Sequence, residues 1–308
     1  MGKVFKDALK EARNISVDNE YYAKNYEDNI YLPPMGENHI RMFCKGGGKE
    51  LLPKEGKKEK GACIYSSSML AYNFFSWINK ENPLVMDDIN YDIVVFEEQF
   101  RVLRNRNNKA NLDVVLVSDD RKTLLLLESK FTEHLATTNY MSEISTAYDS
   151  EESYFKNCLG NRWVSIIKEI RKMPDGKEEY YDGLKQVVCH LIGISSVIRN
   201  KDARDWFNHN SWLHHVEGLT LKGDETFIFK SIVFHPNTEN ESKVSKAYEL
   251  LNKKFVNSID FLPDNLKVGP EPIITYRQLW DSGMNKSIRD DSLRKYLEKY
   301  LKVHNNQY

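Results

Sequence analysis

Cysteine is scarce in this chain of 308 residues: four, at positions 44, 63, 158 and 189. No two have metal-knuckle spacing, which excludes a zinc knuckle, and the chain is long for a disulfide-built scaffold. The thiols read as reduced and cytoplasmic. Long apolar runs are missing as well. Nothing approaches the ~18–20 residues needed to span a bilayer. The opening stretch Met1-Gly2-Lys3-Val4-Phe5-Lys6 has no apolar signal core, and Lys6 stands where a myristoylation motif requires Ser or Thr. A soluble cytoplasmic protein without a membrane partner is expected. An excess of either charge is also lacking, since the formal net charge is −1. That says little against a nucleic-acid partner, because only the docking face need be basic. No internal repeat is found.

Several familiar chemistries are absent on closer reading. Gly46-Gly47-Gly48-Lys49 has Glu50 where a phosphate loop needs Ser or Thr, and Phe43 where it needs its first Gly. His209, His214 and His215 lack zincin spacing and sit near Trp206 and Trp212, as in a packed aromatic loop. Ser66, Ser67 and Ser68 have no nucleophile elbow around them and fit a helix cap better.

What is present is a core-forming composition, 41% hydrophobic and 12% aromatic. A helix is expected over Val4–Arg13, then a looser segment ending at Pro33-Pro34. Residues 45–61 carry six lysines against three glutamates after a glycine run, which predicts a mobile surface loop. The run from Met69 to Ile78 is apolar nearly all round and predicts a buried helix. Tyr91–Val102 reads as a strand. Arg101, Arg104, Arg106 and Lys109 follow as a basic turn, either a phosphate-contacting strip or simply solvated. A helix is expected over Tyr181–Ile194, a strand over Glu225–Phe234, a helix from Ser242 with Tyr248–Leu251 on one face, and a strand-to-helix element over Ile273–Trp280 before a charged C-terminal helix.

The centre of the chain carries the sharpest signal. Asn111-Leu112-Asp113-Val114-Val115-Leu116-Val117-Ser118 and Thr123-Leu124-Leu125-Leu126-Leu127-Glu128-Ser129-Lys130 read as two strands joined by the polar turn Asp119–Lys122. Pairing about that turn brings Asp113 and Glu128 close. Alternation points Glu128 and Lys130 the same way. Thr123–Leu127 reads as an interior strand, and an acid at its end needs a partner or a function. The plainer reading is an exposed hairpin edge with a Glu–Lys pair on its wet face. The two carboxylates suit Mg2+ (or Mn2+), a hard ion that takes one or two carboxylates plus water and phosphate oxygens. Lys130 could orient water, and the Ser129 backbone carbonyl could add a ligand.

Leu112-Asp113, followed 15 positions later by Glu128-Ser129-Lys130 on a second apolar strand, resembles the PD-(D/E)xK nuclease superfamily. Asn111-Leu112 stands where Pro often precedes the Asp. The predicted order helix, strand, strand, strand, helix, strand is also similar to that family's core, over about residues 64–236. The resemblance implies an α/β, restriction-endonuclease-like fold: a central mixed sheet flanked by helices, with extra helical segments at 1–63 and 237–308. It implies Asp113 and Glu128 as metal ligands and Lys130 as the water-positioning residue. Gln186 with His190 resembles the family's Gln followed one helical turn later by an aromatic, though a merely solvated helix face fits as well. The family's further acid is not on the first helix; Glu98 on the preceding strand, or Glu50, could supply it. The resemblance implies a nuclease acting on DNA rather than RNA, with a homodimer where both strands are cut. The other reading is a catalytically silent module of the same fold that binds nucleic acid or a protein.

Overall fold

The computed structural model describes residues 3–31, 34–46, 49–103, 109–131, 164–165, 167–168, 184–234, 262–268 and 272–303. The expected helix from Ser242, and Arg104 and Arg106 of the basic turn, lie outside them.

Helix α1 (Lys3–Arg13) and helix α2 (Glu37–Lys45) precede α3 (Ser67–Phe75). Ser66 caps α3 by accepting the Met69 N–H, as its hydroxyl suggests. Every residue of α3 from Ser68 to Phe75 is buried, in keeping with its all-round apolar face. The helix stops at Phe75, three residues short of the expected end.

A mixed sheet follows: β1 (Leu84–Met86), β2 (Ile89–Arg101), β3 (Lys109–Ser118) and β4 (Thr123–Lys130). β2, β3 and β4 pair antiparallel in sequence order. The turn between β3 and β4 closes on Ser118, whose Oγ donates to Asp120 and accepts the Thr123 N–H. Leu124–Leu127 are fully buried, as an interior strand requires. The chain then passes through α4 (Leu184–Arg199), α5 (Lys201–Asn210) and α6 (Trp212–Glu217) to β5 (Thr226–Val233). β5 pairs parallel to β4 over its whole length, from Thr123↔Thr226 to Lys130↔Val233. A parallel neighbour demands such a crossover, whereas the antiparallel pairs need only turns. α4 lies close on β2: a Cβ at Gly193 would stand 2.7 Å from that of Phe100.

The sheet extends past residue 236. β6 (Leu266–Lys267) and β7 (Ile273–Thr275) both pair parallel with β5. A capping box at Thr275 and Gln278 then starts α7 (Tyr276–Leu279), and the chain ends its described part in α8 (Asp291–Val303).

One continuous hydrophobic cluster runs from Phe5 of α1 to Val303 of α8. Buried Arg13 ties the ends to the middle: it donates to both Asn29 oxygens, to the Ile64 carbonyl and to Tyr296. The expected mobile loop over 45–61 is in part anchored. Glu50, Leu51, Gly61 and Ala62 are buried, and Asn29 Nδ2 donates to the Gly61 carbonyl. The lysine count masked this, because the few apolar residues in the segment, not its charges, decide where it sits. Among the described residues no helix is long and apolar enough to cross a membrane.

Candidate functional site

The β3–β4 register ends in the pair Val114↔Leu127, which sets Asp113 against Glu128 one step beyond. The Ser129 N–H donates to Asp113 Oδ2 at 2.6 Å, fixing the two strand ends together. On the other side of β3, the pairs Phe96↔Val114 and Glu98↔Leu112 bracket Glu97 and Asp113. Glu97, Asp113 and Glu128 therefore form a row of acids across three adjacent strands. Neighbouring strands lie ~4.8 Å apart, so three carboxylates here repel strongly where water is scarce.

Burial first, and that repulsion second, raises the proton affinity of two of the three. Burial pushes Asp113 well above the usual carboxylate range, and the charges of Glu128 and Glu97 push it further. Burial also raises Glu97, to about 8, with Glu50 and Glu128 adding to it; Lys60 and Ser68 act against them. Glu128 goes the other way. Burial would raise it, but Lys130 and His190 together outweigh that and hold it low. Lys130 Nζ donates to Glu128 Oε1 at 2.7 Å, and His190 Nε2 lies 3.0 Å from Oε2. That second contact lacks hydrogen-bond alignment, leaving Glu128 Oε2 and both His190 ring nitrogens buried without a hydrogen bond.

Ser129 is held from both sides. Its Oγ meets Tyr276 Oη at 2.8 Å and donates to the Ser67 carbonyl. The Lys130 carbonyl accepts the Phe234 N–H on the β5 side. Strand alternation therefore turns the Ser129 N–H and carbonyl to the β3 side, toward Asp113.

Glu97 is the acid that the sequence reading missed. It has φ 53°, a left-handed conformation that costs a non-glycine residue ~1–3 kcal/mol and clusters at functional sites. Gly46, at the end of α2, is packed on it: a Cβ there would stand 2.6 Å from Glu97 Oε2. Glu98 does not join the row. Its Oε2 accepts from Ser211 Oγ at 2.9 Å and approaches the Leu213 N–H at 3.4 Å, so it anchors the start of α6. Regular strand alternation would set Glu98 on one face with Phe96 and Phe100. The strand changes partners at Glu97: Phe96 stacks on Phe43 of α2, whereas Phe100 packs on Phe207 of α5. Glu50 is buried, pairs with Lys60 at 3.1 Å, and acts on Glu97 through its charge.

Gln186 is exposed on α4, and the buried residue one turn later, His190, is the one that reaches Glu128. Arg101 and Lys109 lie at the far end of the β2–β3 pair. There Arg101 donates to the Leu103 carbonyl and Lys109 to Gln99 Oε1.

The donor set fits a hard divalent cation in kind. Asp113 and Glu128 stand across from each other on β3 and β4 with the Ser129 backbone beside Asp113, and such an ion takes carboxylate and carbonyl oxygens; burial first, then neighbouring carboxylates, raises Asp113 and Glu97. Among the described residues, no three His, Cys, Asp or Glu side chains already stand in ligand geometry. Compared with family models, curated proteins and solved structures, the chain matches none of them.

Proposed function

We propose that this chain is a metal-dependent nuclease of the PD-(D/E)xK type with a restriction-endonuclease-like core, hydrolysing phosphodiester bonds in DNA. The observation that carries the reading is Asp113 against Glu128, with Lys130 at 2.7 Å from Glu128. An antiparallel trio of strands followed by a parallel fourth across helices agrees with it. Asp113, Glu128 and the Ser129 carbonyl would hold Mg2+ or Mn2+. Such an ion supplies charge neutralisation at the phosphate and a more acidic water. Lys130 would orient that water and stabilise charge growing on the phosphate. Lys130, with His190 beside it, keeps Glu128 ionised, while Glu97 stands beside Asp113 and Glu50 acts on Glu97.

The test is cutting of supercoiled and linear DNA with Mg2+ or Mn2+. Asp113→Asn and Lys130→Ala should each lose activity by about 10²–10⁴-fold, with thermal unfolding kept as a folding check. Equal cutting by wild type and Lys130→Ala rejects the assignment.

One observation favours a second reading, a silent nuclease-like module. Lys130 and His190 already face both oxygens of Glu128, so that carboxylate is compensated without a metal. Calorimetric titration with Mn2+ separates the two: heat of binding that Asp113→Asn removes supports the nuclease, and none supports the silent module.

A further inference from the structure

Away from the acid row, basic side chains gather on two tryptophans. The Arg101 guanidinium lies 5.6 Å from the Trp206 ring centre, and the Lys109 ammonium lies 5.3 Å from the same ring. The Lys45 ammonium lies 5.7 Å from the Trp212 ring. Gln99 joins the two groups: its Oε1 accepts from Lys109 at 2.8 Å, and its Nε2 donates to the Lys45 carbonyl at 3.4 Å. The rings come from α5 and α6 and the cations from β2, β3 and α2. Both indoles are half-buried, so each keeps part of its surface in water, and Lys45 is exposed.

Two buried links tie this patch to the acid row. Lys45 precedes Gly46, which is packed on the Glu97 carboxylate. Glu98, the neighbour of Glu97, accepts from Ser211, the residue just before Trp212.

The rings decide which chain fits. Cations alone serve any phosphate backbone, duplex or single. A duplex keeps its base faces inside its own stack, whereas a single strand offers them to aromatic side chains. We infer that this patch binds single-stranded nucleic acid, its bases displacing the flexible lysine ammoniums from the exposed parts of Trp206 and Trp212 and its phosphates pairing with Arg101, Lys109 and Lys45. The inference rests on the nuclease reading for what happens to the strand, but the binding itself needs no metal.

The experiment titrates the full chain, in EDTA, with labelled oligothymidylate, oligouridylate of equal length and a duplex of that length, read by fluorescence anisotropy. The single strands should bind at least about tenfold tighter than the duplex. Trp206→Ala and Trp212→Ala should each weaken single-strand binding about tenfold, as loss of one stacked base does. Trp206→Phe and Trp212→Phe should keep most of it, and they stand in if the alanine variants fail to fold. Lys45→Glu should weaken binding and flatten its salt dependence. The two single strands tell which sugar is preferred. Equal or tighter duplex binding, no binding at all, or Trp206→Ala and Trp212→Ala variants of wild-type affinity would overturn the inference. Cutting with Mg2+ is measured on the same preparation. Single-strand binding without cutting rejects the nuclease reading alone, and cutting without single-strand preference rejects the patch alone.

Discussion

Glu97 and Glu98 are chain neighbours, both buried, yet they do different work. Glu97 completes the acid row at the cost of a left-handed backbone, while Glu98 anchors α6. Burial raises Glu98 to about 7, with Ser211 and nearby backbone N–H groups pulling it down only in part. Its folded form holds the proton more tightly than the unfolded form, whose value is near 4.5. Its stabilising effect is therefore complete below about pH 4.5 and lost as pH rises through about 7, by on the order of 3 kcal/mol. Glu98→Gln keeps an acceptor for Ser211 without the charge. Its melting temperature relative to wild type should rise from pH 5 to about pH 7 and level off by pH 8, and a difference that stays flat from pH 5 to pH 7 would contradict the account. Gly46 offers a second residue-scale test. Gly46→Ala drives a methyl into Glu97 and should cost about 1–3 kcal/mol in denaturant unfolding. Adding Glu97→Ala should recover much of that loss, because the two side chains meet.

At the scale of elements, the β3–β4 hairpin was legible because everything local agreed: continuous Leu and Val, a polar turn, and acids at equal offsets from it. Pairing follows directly from such a turn, so the order of residues alone is enough to group Asp113, Glu128 and Lys130. β2 was legible as a strand, but its register was not. The basic turn after it sets no pairing offset with β3, and the left-handed conformation at Glu97 interrupts the regular alternation along the strand. β6 and β7, at two and three residues, are too short to leave any periodicity. α3 was legible from its cap as well as its apolar run. Ser66→Ala should lower stability by about 1 kcal/mol and Ser66→Gly by only a few tenths, measured by urea unfolding.

At the scale of the whole molecule, Arg13 is the point where the N-terminal segment, the middle and the C-terminal helix meet. Its guanidinium serves Asn29 and Ile64 from α1 and lies 4.4 Å over the Tyr300 ring of α8. Asn73 of α3 donates to the same Tyr300. Nothing in the sequence could reveal this, since the partners lie as far as 283 positions apart. Arg13→Met keeps the apolar stem but leaves buried carbonyls without their donor, and should cost about 3 kcal/mol while unfolding remains a single transition. The same packed core carries the strands on which the row of acids stands, and the proposed function places a divalent cation on that row. Crystals soaked in Mg2+ test this most directly. The account predicts an ion about 2.0–2.1 Å from oxygens of Asp113 and Glu128. Glu128 still held by Lys130 and His190 at millimolar Mg2+, with no ion beside Asp113, would contradict it.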